Sequence, residues 1–451
     1  MHPPEPKIPC LTVIAHPDFE RVGERAVLWD KPEQGSTAEL SRHEMAFAPV
    51  NSDEEGRTLD DPYISRRALR FTAARFGGIR IDCSESGTRV VANDDWIPED
   101  RVFLGVEVER GVVLVLSERL ALMLHNLDAR HAETVPDFGL LGENARFVKV
   151  RREIARLSAT DDPFIVRGAA ATGKKDVARA IHDAGARSQQ PFVTFSAVAE
   201  PDEQPALNEL LAQATGGTFL LDVAEKASPE LQEEILKATD NINVRLGATI
   251  GSRSSTRKRL DASAGPLIER LAENLVDVPP LDKRRDDVSR LFHHFVRVEM
   301  EAHQALERLA DPGAYAPPWL PVRLVARLCA YEWPRNVDQL RRVAHLLVRD
   351  FHEKPHAEIG SDLETLLEGT AAEPLDWDWP AEEDTPVVTR EPSEVSEIEL
   401  LSALRAHRWQ AKPTAAELGI SPEALFSMIE KFSERTRRQK KRVRARTGAR
   451  A

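Results

Sequence analysis

The chain has 451 residues, 41% of them hydrophobic and 30% charged, and its formal net charge is −13. The length predicts about two to four domains, and the acidic balance argues against nonspecific binding of the whole chain to nucleic acid. Three widely spaced cysteines without a C-x-x-C string predict a reducing cytoplasm and argue against a disulfide framework or a zinc site. Neither a signal peptide nor a membrane span is expected, since Glu118 and Arg119 interrupt the most apolar stretch.

Residues 1–125 contain short apolar runs, such as "CLTVIAH", "GIRID", "TRVVA" and "GVVLVLS", separated by Gly, Asp, Glu and Pro. The even spacing of such runs predicts a β-sandwich. The strings "LSRHEMAFAP", "LDDPYISRRALRF" and "SESGTRV" resemble forkhead-associated (FHA) domains, which bind phosphothreonine peptides.

The FHA resemblance implies a phosphopeptide site formed by Arg42, Ser65, Arg66 and Ser86, and a phosphorylated protein or Ser/Thr kinase as partner. The asparagine of that family falls on Ser86 and its histidine on Ala68. The alternative is that Ser65 and Arg66 only order a loop.

After residue 125 the secondary-structure pattern and the composition of the sequence change several times, which predicts several further segments. Apolar runs alternate with helical patterns over residues 138–285, which predicts a parallel α/β sheet, and residues 286–362 are helical only. Residues 363–394 are rich in acid and proline, which indicates a linker. Residues 395–434 contain three helical patterns, and residues 435–451 form a basic tail, which suggests a polyanion partner.

Residues 165–177, "IVRGAAATGKKDV", fit the phosphate-binding pattern G-x-x-x-x-G-K between a predicted strand and a predicted helix. Backbone amides, the helix N-terminus and the ammonium of Lys174 would face the β and γ phosphates of ATP. A tight strand-to-helix turn without a ligand is the alternative. The residues predicted to bind the nucleotide are Gly168, Thr172, Gly173, Lys174, Lys175 and Asp222.

Asp222 ends the apolar run "GGTFLLD", the place where such folds hold Mg²⁺. Active ATPases often follow this residue with a glutamate that polarises water, whereas this chain has Val223. Glu225 is close in sequence, but we expect it to point elsewhere unless the turn is unusual.

Four strings in order, "FGLLGENARFVKVRREIARLSATDDPFIVRGAAATGKKDVARAIH", "TGGTFLLDV", "LVDVPPLDKRRDDVSRLFHHF" and "YEWPRNVDQLRRV", resemble the AAA+ module of bacterial enhancer-binding proteins. Those proteins activate sigma-54 RNA polymerase. The resemblance covers residues 138–350 and implies a homo-oligomeric ring.

At several positions the sequence differs from the family pattern, and these differences argue against an ATP-driven motor. The GAFTGA loop that touches sigma-54 is absent between "PFVTFSA" and "GGTFLLD", which argues against a sigma-54 contact. Lys175 stands where the family usually has Glu, Gly251 where it has a sensor Asn, and Asp338 where it has Arg. Of two arginines placed across the subunit boundary, one aligns with Arg270, a candidate arginine finger, and the other falls on Ala264. We therefore expect nucleotide binding with weak or no ATPase activity.

The string "SEIELLSALRAHRWQAKPTAAELGISPEALFSMIEKF" resembles the Fis-type helix-turn-helix that ends many enhancer-binding proteins. Gly419 would end one helix and Ser421 cap the recognition helix, while acidic Glu423 disfavours base-specific contacts. A three-helix dimerisation unit is the alternative. The residues predicted to contact DNA are Ser421, Glu423, Ala424, Ser427, Lys431, Arg435, Arg437 and Arg438.

Together these features predict a cytoplasmic, DNA-binding transcription regulator, diverged from the sigma-54 activators, whose FHA-like domain senses a phosphorylated partner. One alternative is a phospho-dependent scaffold with a pseudo-ATPase core and no specific DNA site. The third and least favoured hypothesis is an active ATPase that remodels another protein.

Overall fold

The computed structural model describes residues 7–30, 33–50, 54–128, 135–198, 206–251, 265–310, 313, 316–368, 395, 415 and 417–420. The chain divides into two units, Met1–Trp377 and Asp378–Ala451. In the second unit Leu418 and Ile420 are buried, and Gly419 has φ +67°, the conformation of a glycine that ends a helix. All eight predicted DNA-contact residues, from Ser421 to Arg438, lie outside the described residues, as does Ala264.

The N-terminal part, called the β unit (residues 7–128), consists of antiparallel strands and one short helix. Its elements are β1 Lys7–Ala15, β2 Arg25–Val27, β3 Thr37–Leu40, β4 Leu69–Ala73, β5 Ile79–Asp82, β6 Val90–Ala92, β7 Asp95–Ile97, β8 Asp100–Phe103, α1 Gly105–Arg110, β9 Val112–Leu116 and β10 Leu120–Asp128. One sheet has the order β2-β1-β10-β9-β6-β7 and the other β3-β4-β5-β8. The two sheets share one hydrophobic core, to which Leu11, Phe71 and Leu122 contribute.

The middle part is a parallel sheet with helices, as the alternating pattern predicts. Its elements are α2 Ala145–Ser158, β11 Phe164–Arg167, α3 Lys174–Asp183, β12 Phe192–Ser196, α4 Leu207–Gln213, β13 Thr218–Asp222, α5 Pro229–Thr239, β14 Arg245–Ile250, α6 Pro266–Leu271 and β15 Leu275–Asp277. The order is β12-β13-β14-β11-β15, and every described pairing is parallel. Strands β11, β13 and β14 are buried along their whole length, which explains their continuous apolar runs.

Four helices, called the lid, follow the sheet. They are α7 Arg285–Ala302, α8 Val322–Ala330, α9 Asn336–Phe351 and α10 Ser361–Glu368. Their core surrounds the buried indole of Trp333, whose Nε1 donates to the carbonyl of Leu328 at 3.0 Å. Helix α10 continues past residue 362, the predicted end of the lid, because Leu363 and Leu367 pack into the same core.

The β unit packs directly on the lid. In β9, Val112 and Leu114 face the core between the two sheets, whereas Val113 and Val115 belong to the hydrophobic core of α7, α8 and α9. Ala121 and Met123 of β10 contribute to the lid core in the same way. Strands buried on both faces read as unbroken apolar runs, which accounts for "GVVLVLS".

Polar contacts accompany this apolar interface. Nη2 of Arg25 lies 3.1 Å from Oδ2 of Asp286 on α7, and both side chains are at least nine-tenths buried. The hydroxyl of Ser289 donates to the carbonyl of Ile14. Nη2 of Arg119 donates to the carbonyl of Gly313 at 2.8 Å. The β unit and the lid are therefore fastened by an apolar core and by buried charge-assisted bonds.

Among the described helices, none has the length and apolar character needed to cross a membrane.

Candidate functional site

The phosphate loop (residues 168–174) leaves the sheet at the end of β11 and enters α3. Gly173 has φ +96°, which a residue with a side chain rarely adopts, so a glycine is required where the loop turns into the helix. The hydroxyl of Thr172 donates to the carbonyl of Ala169 at 3.0 Å and is buried. Thr172 thus stabilises the loop itself, and the amides at the start of α3 face the ligand side.

Lys174 lies folded over the phosphate loop. Its Nζ donates to the carbonyl of Gly168 at 3.0 Å and to the carbonyl of Ala169 at 2.8 Å. Burial lowers the pKa of Lys174, while the nearby carboxylates of Glu225 and Asp222 act in the opposite direction. The ammonium is therefore held where the loop curves, with two acidic side chains close to it.

Asp222 ends β13 beside the phosphate loop, as predicted, but its carboxylate is already paired. Oδ1 accepts a hydrogen bond from the hydroxyl of Thr249 at 2.5 Å, and Oδ2 lies 3.1 Å from Nζ of Lys175. Mg²⁺ requires oxygen ligands in an octahedral arrangement, and Lys175 brings a positive charge without an oxygen. As paired here, the donor set around Asp222 does not fit Mg²⁺, and the magnesium-associated role of this residue stays a prediction.

The turn after Asp222 is unusual, and it brings Glu225 into the site. Val223 has φ +56° and ψ +47°, the left-handed region that a β-branched residue rarely occupies. Oε1 of Glu225 accepts a hydrogen bond from the amide of Gly251 at 2.8 Å, and Oε2 is buried without a hydrogen-bond partner. The exception allowed for in the sequence analysis therefore applies: the turn is unusual, and Glu225 points into the site.

Gly251 leaves the space that this carboxylate fills. A Cβ atom built on Gly251 would lie 2.7 Å from Oε1 of Glu225. The glycine and the inserted carboxylate are thus mutually adapted, and together they replace the sensor side chain that the family resemblance implies at position 251.

The start of α9 closes the site from the lid side. Nδ2 of Asn336 donates to the carbonyl of Ala170 at 3.0 Å, and the amide of Val337 donates to the carbonyl of Ala171 at 3.1 Å. Asp338 in the same first turn and Arg341 about one turn further line the space in front of the phosphate loop.

Arg341 is a functional candidate that sequence reasoning missed. It lies three residues after Asp338, on the same face of α9, and its guanidinium stands 5.1 Å from the ring centre of Phe295. The sequence contains a signal for this residue. Side chains three residues apart lie on the same face of a helix, so Arg341 can reach the region to which the family's arginine at position 338 would point.

Arg284 is a second candidate functional residue that the sequence analysis does not identify. It is buried, its guanidinium lies 4.3 Å from the ring centre of Phe147, and its Nη2 donates to the carbonyl of Thr172 at 3.4 Å. Burial lowers the pKa of Arg284, an effect that Asp287 and Asp286 oppose. Arg284 thus connects the phosphate loop to the beginning of the lid.

Two adjoining cavities form one cleft between the phosphate loop and the lid. The first, of about 470 Å³, is lined by the charged groups of Lys174, Lys175, Asp222, Glu225 and Arg341. The second, of about 370 Å³, is lined by apolar side chains and by an equal share of polar surface, to which Asp176, Arg179, Asp183, Arg284, His294 and Arg341 contribute. Both volumes lie in the range of about 300–1,000 Å³ that is typical of ligand sites. The apolar residues of the second cavity include Phe138, Leu140, Leu141, Phe147, Leu291 and Phe295.

Arg270, the candidate arginine finger, does not line this cleft. It lies on α6 with an exposed side chain, and its Nη1 is 3.0 Å from Oδ1 of Asp240. A role across a subunit boundary therefore stays a prediction.

The residues predicted to bind a phosphopeptide lie in two touching loops of the β unit. The amide of Ser65 donates to the hydroxyl of Thr88 at 2.9 Å, and the hydroxyl of Ser86 donates to the carbonyl of Arg67 at 2.9 Å. Each serine hydroxyl also accepts a bond from an amide two residues later in the chain. These contacts join the two loops and order them.

Arg42 and Arg66 differ in their surroundings. Nε of Arg42 donates to the carbonyl of Ile64 at 3.0 Å, so this guanidinium also bonds to the loop backbone. The side chain of Arg66 is exposed. Arg42, Ser65 and Ser86 are thus brought together, and their role in binding phosphate stays a prediction.

The sequence is similar to a known domain family and to known bacterial regulatory proteins. Residues 140–207, which include the phosphate loop, match the model of the Sigma-54 interaction domain. The chain is 30% identical over 277 residues to the C4-dicarboxylate transport transcriptional regulatory protein DctD of Pseudomonas aeruginosa, covering 54% of this chain and 56% of DctD. It is 24% identical over 374 residues to the transcriptional activator RocR of Bacillus subtilis, covering 75% of this chain and 77% of RocR.

Solved structures align less closely. NtrX from Brucella abortus in complex with ATP is 22% identical, with a TM-score of 0.42, over 65% of this chain and 69% of that chain. The chain thus has curated relatives that are named as transcriptional regulators, and it spans just over half the length of DctD.

Proposed function

We propose that the protein is a DNA-binding transcription regulator related to the sigma-54 activators, whose core binds an adenine nucleotide and hydrolyses it little or not at all. The observation that carries the nucleotide part is the cleft beside the phosphate loop, which Lys174, Lys175 and Arg341 line at one end and aromatic rings line at the other. The match of residues 140–207 and the names of the relatives support the regulatory part.

The cleft suits the two chemical parts of a nucleotide. Lys174, Lys175 and Arg341 supply positive charge beside the amides that begin α3, which favours phosphate groups. The second cavity, bounded by the ring of Phe147 and by Arg284 packed on that ring, suits a planar base, which has an apolar face and a polar edge.

Weak hydrolysis is part of the proposal because the groups that turnover needs are changed. Val223 follows Asp222 in place of a glutamate, and Asp338 stands where the family resemblance implies an arginine. Glu225 enters the cleft, but the amide of Gly251 holds one of its oxygens. We expect the nucleotide to act as a ligand that holds the sheet and the lid together.

The β unit is proposed to sense a phosphorylated partner, and its position on the lid supplies the means of transmission. Val113 and Val115 share the lid core, and Arg25 pairs with Asp286 at the start of α7. The neighbouring Asp287 accepts hydrogen bonds from the amides of Glu143 and Asn144, just before α2. A ligand on the β unit would thus act on a lid that also bounds the nucleotide cleft.

The nucleotide part is tested by titration calorimetry with ATP and ADP. We expect Lys174→Ala to weaken binding by about tenfold or more, because a charge-assisted contact to phosphate is lost. Lys226→Ala removes an exposed ammonium that does not line the cleft, so it is the matched control. Equal affinities of the two variants would contradict the proposed site, and turnover that depends on Lys174 would contradict weak hydrolysis.

The DNA part is tested in the full chain by replacing Arg435, Arg437 and Arg438 together with alanine. DNA recovered from cells with the unaltered protein should be enriched at discrete promoters, and the variant should lose that enrichment. In vitro, the variant should show a shallower dependence of DNA affinity on salt, because fewer phosphate contacts form. Absence of any enrichment with the unaltered protein would favour the scaffold alternative.

A further inference from the structure

The charged end of the cleft contains an ion pair where a metal-dependent nucleotide site would hold its cation. Nζ of Lys175 lies 3.1 Å from Oδ2 of Asp222, and Thr249 occupies the other carboxylate oxygen. Asp222 is largely buried, whereas the side chain of Lys175 is 63% exposed and approaches from the first turn of α3. Both oxygens of Asp222 therefore have partners within the protein.

We infer that Lys175 takes the place of the metal ion, and that the cleft binds a nucleoside diphosphate without Mg²⁺. This inference rests on the proposed nucleotide function and specifies its ligand.

Metal independence follows from the chemistry around Asp222. Many phosphate-loop enzymes hold magnesium with a hydroxyl directly after the loop lysine, a carboxylate and the phosphate oxygens. The family that this chain resembles usually has a glutamate at that position, so neither pattern places a cationic side chain there. In this chain the position after Lys174 is Lys175, whose ammonium would repel a divalent cation and already neutralises Asp222. An ammonium can contact phosphate oxygens directly, so the phosphates still receive a positive charge.

The preference for a diphosphate follows from the charge balance. Three cationic side chains line the charged cavity, and the carboxylates beside them include Glu225 and Asp338. Lys175 brings one positive charge where Mg²⁺ would bring two, so the additional negative charge of a third phosphate is less well compensated. The cavity-lining carboxylates are Asp176, Asp222, Glu225 and Asp338, and the cations are Lys174, Lys175 and Arg341.

The experiment is titration calorimetry of the full chain with ADP and with ATP, each in excess Mg²⁺ and in EDTA. We expect the affinity for ADP to change by less than about twofold when Mg²⁺ is removed, and ATP to bind about tenfold more weakly than ADP in EDTA.

Two substitutions at the same position sharpen the test. Lys175→Thr introduces a hydroxyl that can ligate Mg²⁺ and removes the positive charge, so ADP binding in EDTA should fall by about tenfold and recover when Mg²⁺ is added. Lys175→Arg keeps the charge and should remain independent of Mg²⁺. Lys237→Ala, which removes an exposed lysine paired with Glu233 on α5, controls for the loss of one positive charge elsewhere.

The outcomes separate this inference from the proposed function. Binding by the unaltered protein that requires Mg²⁺, or tighter binding of ATP than ADP in EDTA, would overturn the inference and leave the nucleotide function standing. Binding by Lys175→Thr that matches the unaltered protein in EDTA would also overturn it. Failure to bind either nucleotide under both conditions would reject the proposed function together with the inference.

Discussion

The carboxylate of Glu225 accepts a hydrogen bond at 2.8 Å from the amide of Gly251, and these two residues follow different strands of the parallel sheet, β13 and β14. The left-handed backbone of Val223 is what turns Glu225 toward Gly251. The absence of a side chain at position 251 is what makes room for it.

This pair predicts a coupled effect on stability. Gly251→Ala would place a Cβ atom 2.7 Å from Oε1 of Glu225, so the carboxylate must move and give up its bond. We expect the free energy of unfolding to fall by about 1–2 kcal/mol, and to fall much less when Glu225 is already alanine. Chemical denaturation of the four proteins of this double-mutant cycle measures the coupling. Strictly additive effects would show that the two residues do not depend on each other.

A second prediction concerns Arg341. Because its side chain lines both cavities, Arg341→Ala should weaken nucleotide binding by about tenfold. The neighbouring Arg342 is exposed and lines neither cavity, so Arg342→Ala should leave the affinity within about twofold. Calorimetry on both variants makes the comparison, and similar losses would mean that general positive charge, rather than this position, matters.

A third prediction concerns the attachment of the β unit to the lid. Arg25→Ala leaves the buried carboxylate of Asp286 without its cation, which should lower the free energy of unfolding by about 3 kcal/mol. Arg70→Ala breaks the ion pair with Glu39, which has the same 3.1 Å separation but is about half exposed, and should cost less than about 1 kcal/mol. Denaturation curves compare the two. A cost for Arg25→Ala no greater than that for Arg70→Ala would argue against a tight interface.

A fourth prediction concerns pH. His293 of α7 is buried against Phe19 of the β unit, and its Nδ1 donates to the carbonyl of Ser289 at 2.8 Å. Burial lowers the pKa of His293 to about 4 from its ordinary value of 6.5. The unfolded chain therefore takes up a proton below pH 6.5 that the folded protein does not, so this stabilisation is present above pH 6.5 and is lost as the pH falls toward 4.

The measurement is the free energy of unfolding of the unaltered protein and of His293→Gln, at about pH 7 and about pH 5. The advantage of the unaltered protein over the variant should shrink by about 2 kcal/mol at the lower pH. Other buried titrating groups, such as His125 and Asp287, are present in both proteins and cancel in the comparison. A difference that does not change with pH would show that His293 keeps an ordinary pKa.

Much of the fold could be read from local patterns. The strand, glycines and helix around Lys174 lie within a few residues of one another, so the phosphate loop was predictable from a short string. The parallel sheet was predictable because apolar strands alternate with helices, and β11, β13 and β14 are buried as such strands are.

The chemistry of the site was less predictable because it depends on residues brought together from far apart. Asp222 lies at the end of its strand, as the sequence predicts, but its pairing with Lys175 and Thr249 joins residues that are far apart in the sequence. A regular turn would direct Glu225 away from the loop, so only the left-handed backbone of Val223 brings it in. Arg341 reaches the cleft only because of the position of α9 relative to the sheet.

Local sequence patterns therefore suffice to predict the order of the elements, the position of the phosphate loop and the apolar character of β9 and β10. The packing of distant segments is needed to show that the lid covers the second face of those strands, through Val113 and Met123, and that Glu225 and Lys175 lie at the charged end of the cleft. This difference arises because backbone preference and hydrophobic periodicity act over a few residues. Burial of a sheet face and pairing of charges depend instead on which segments, distant in sequence, pack against each other.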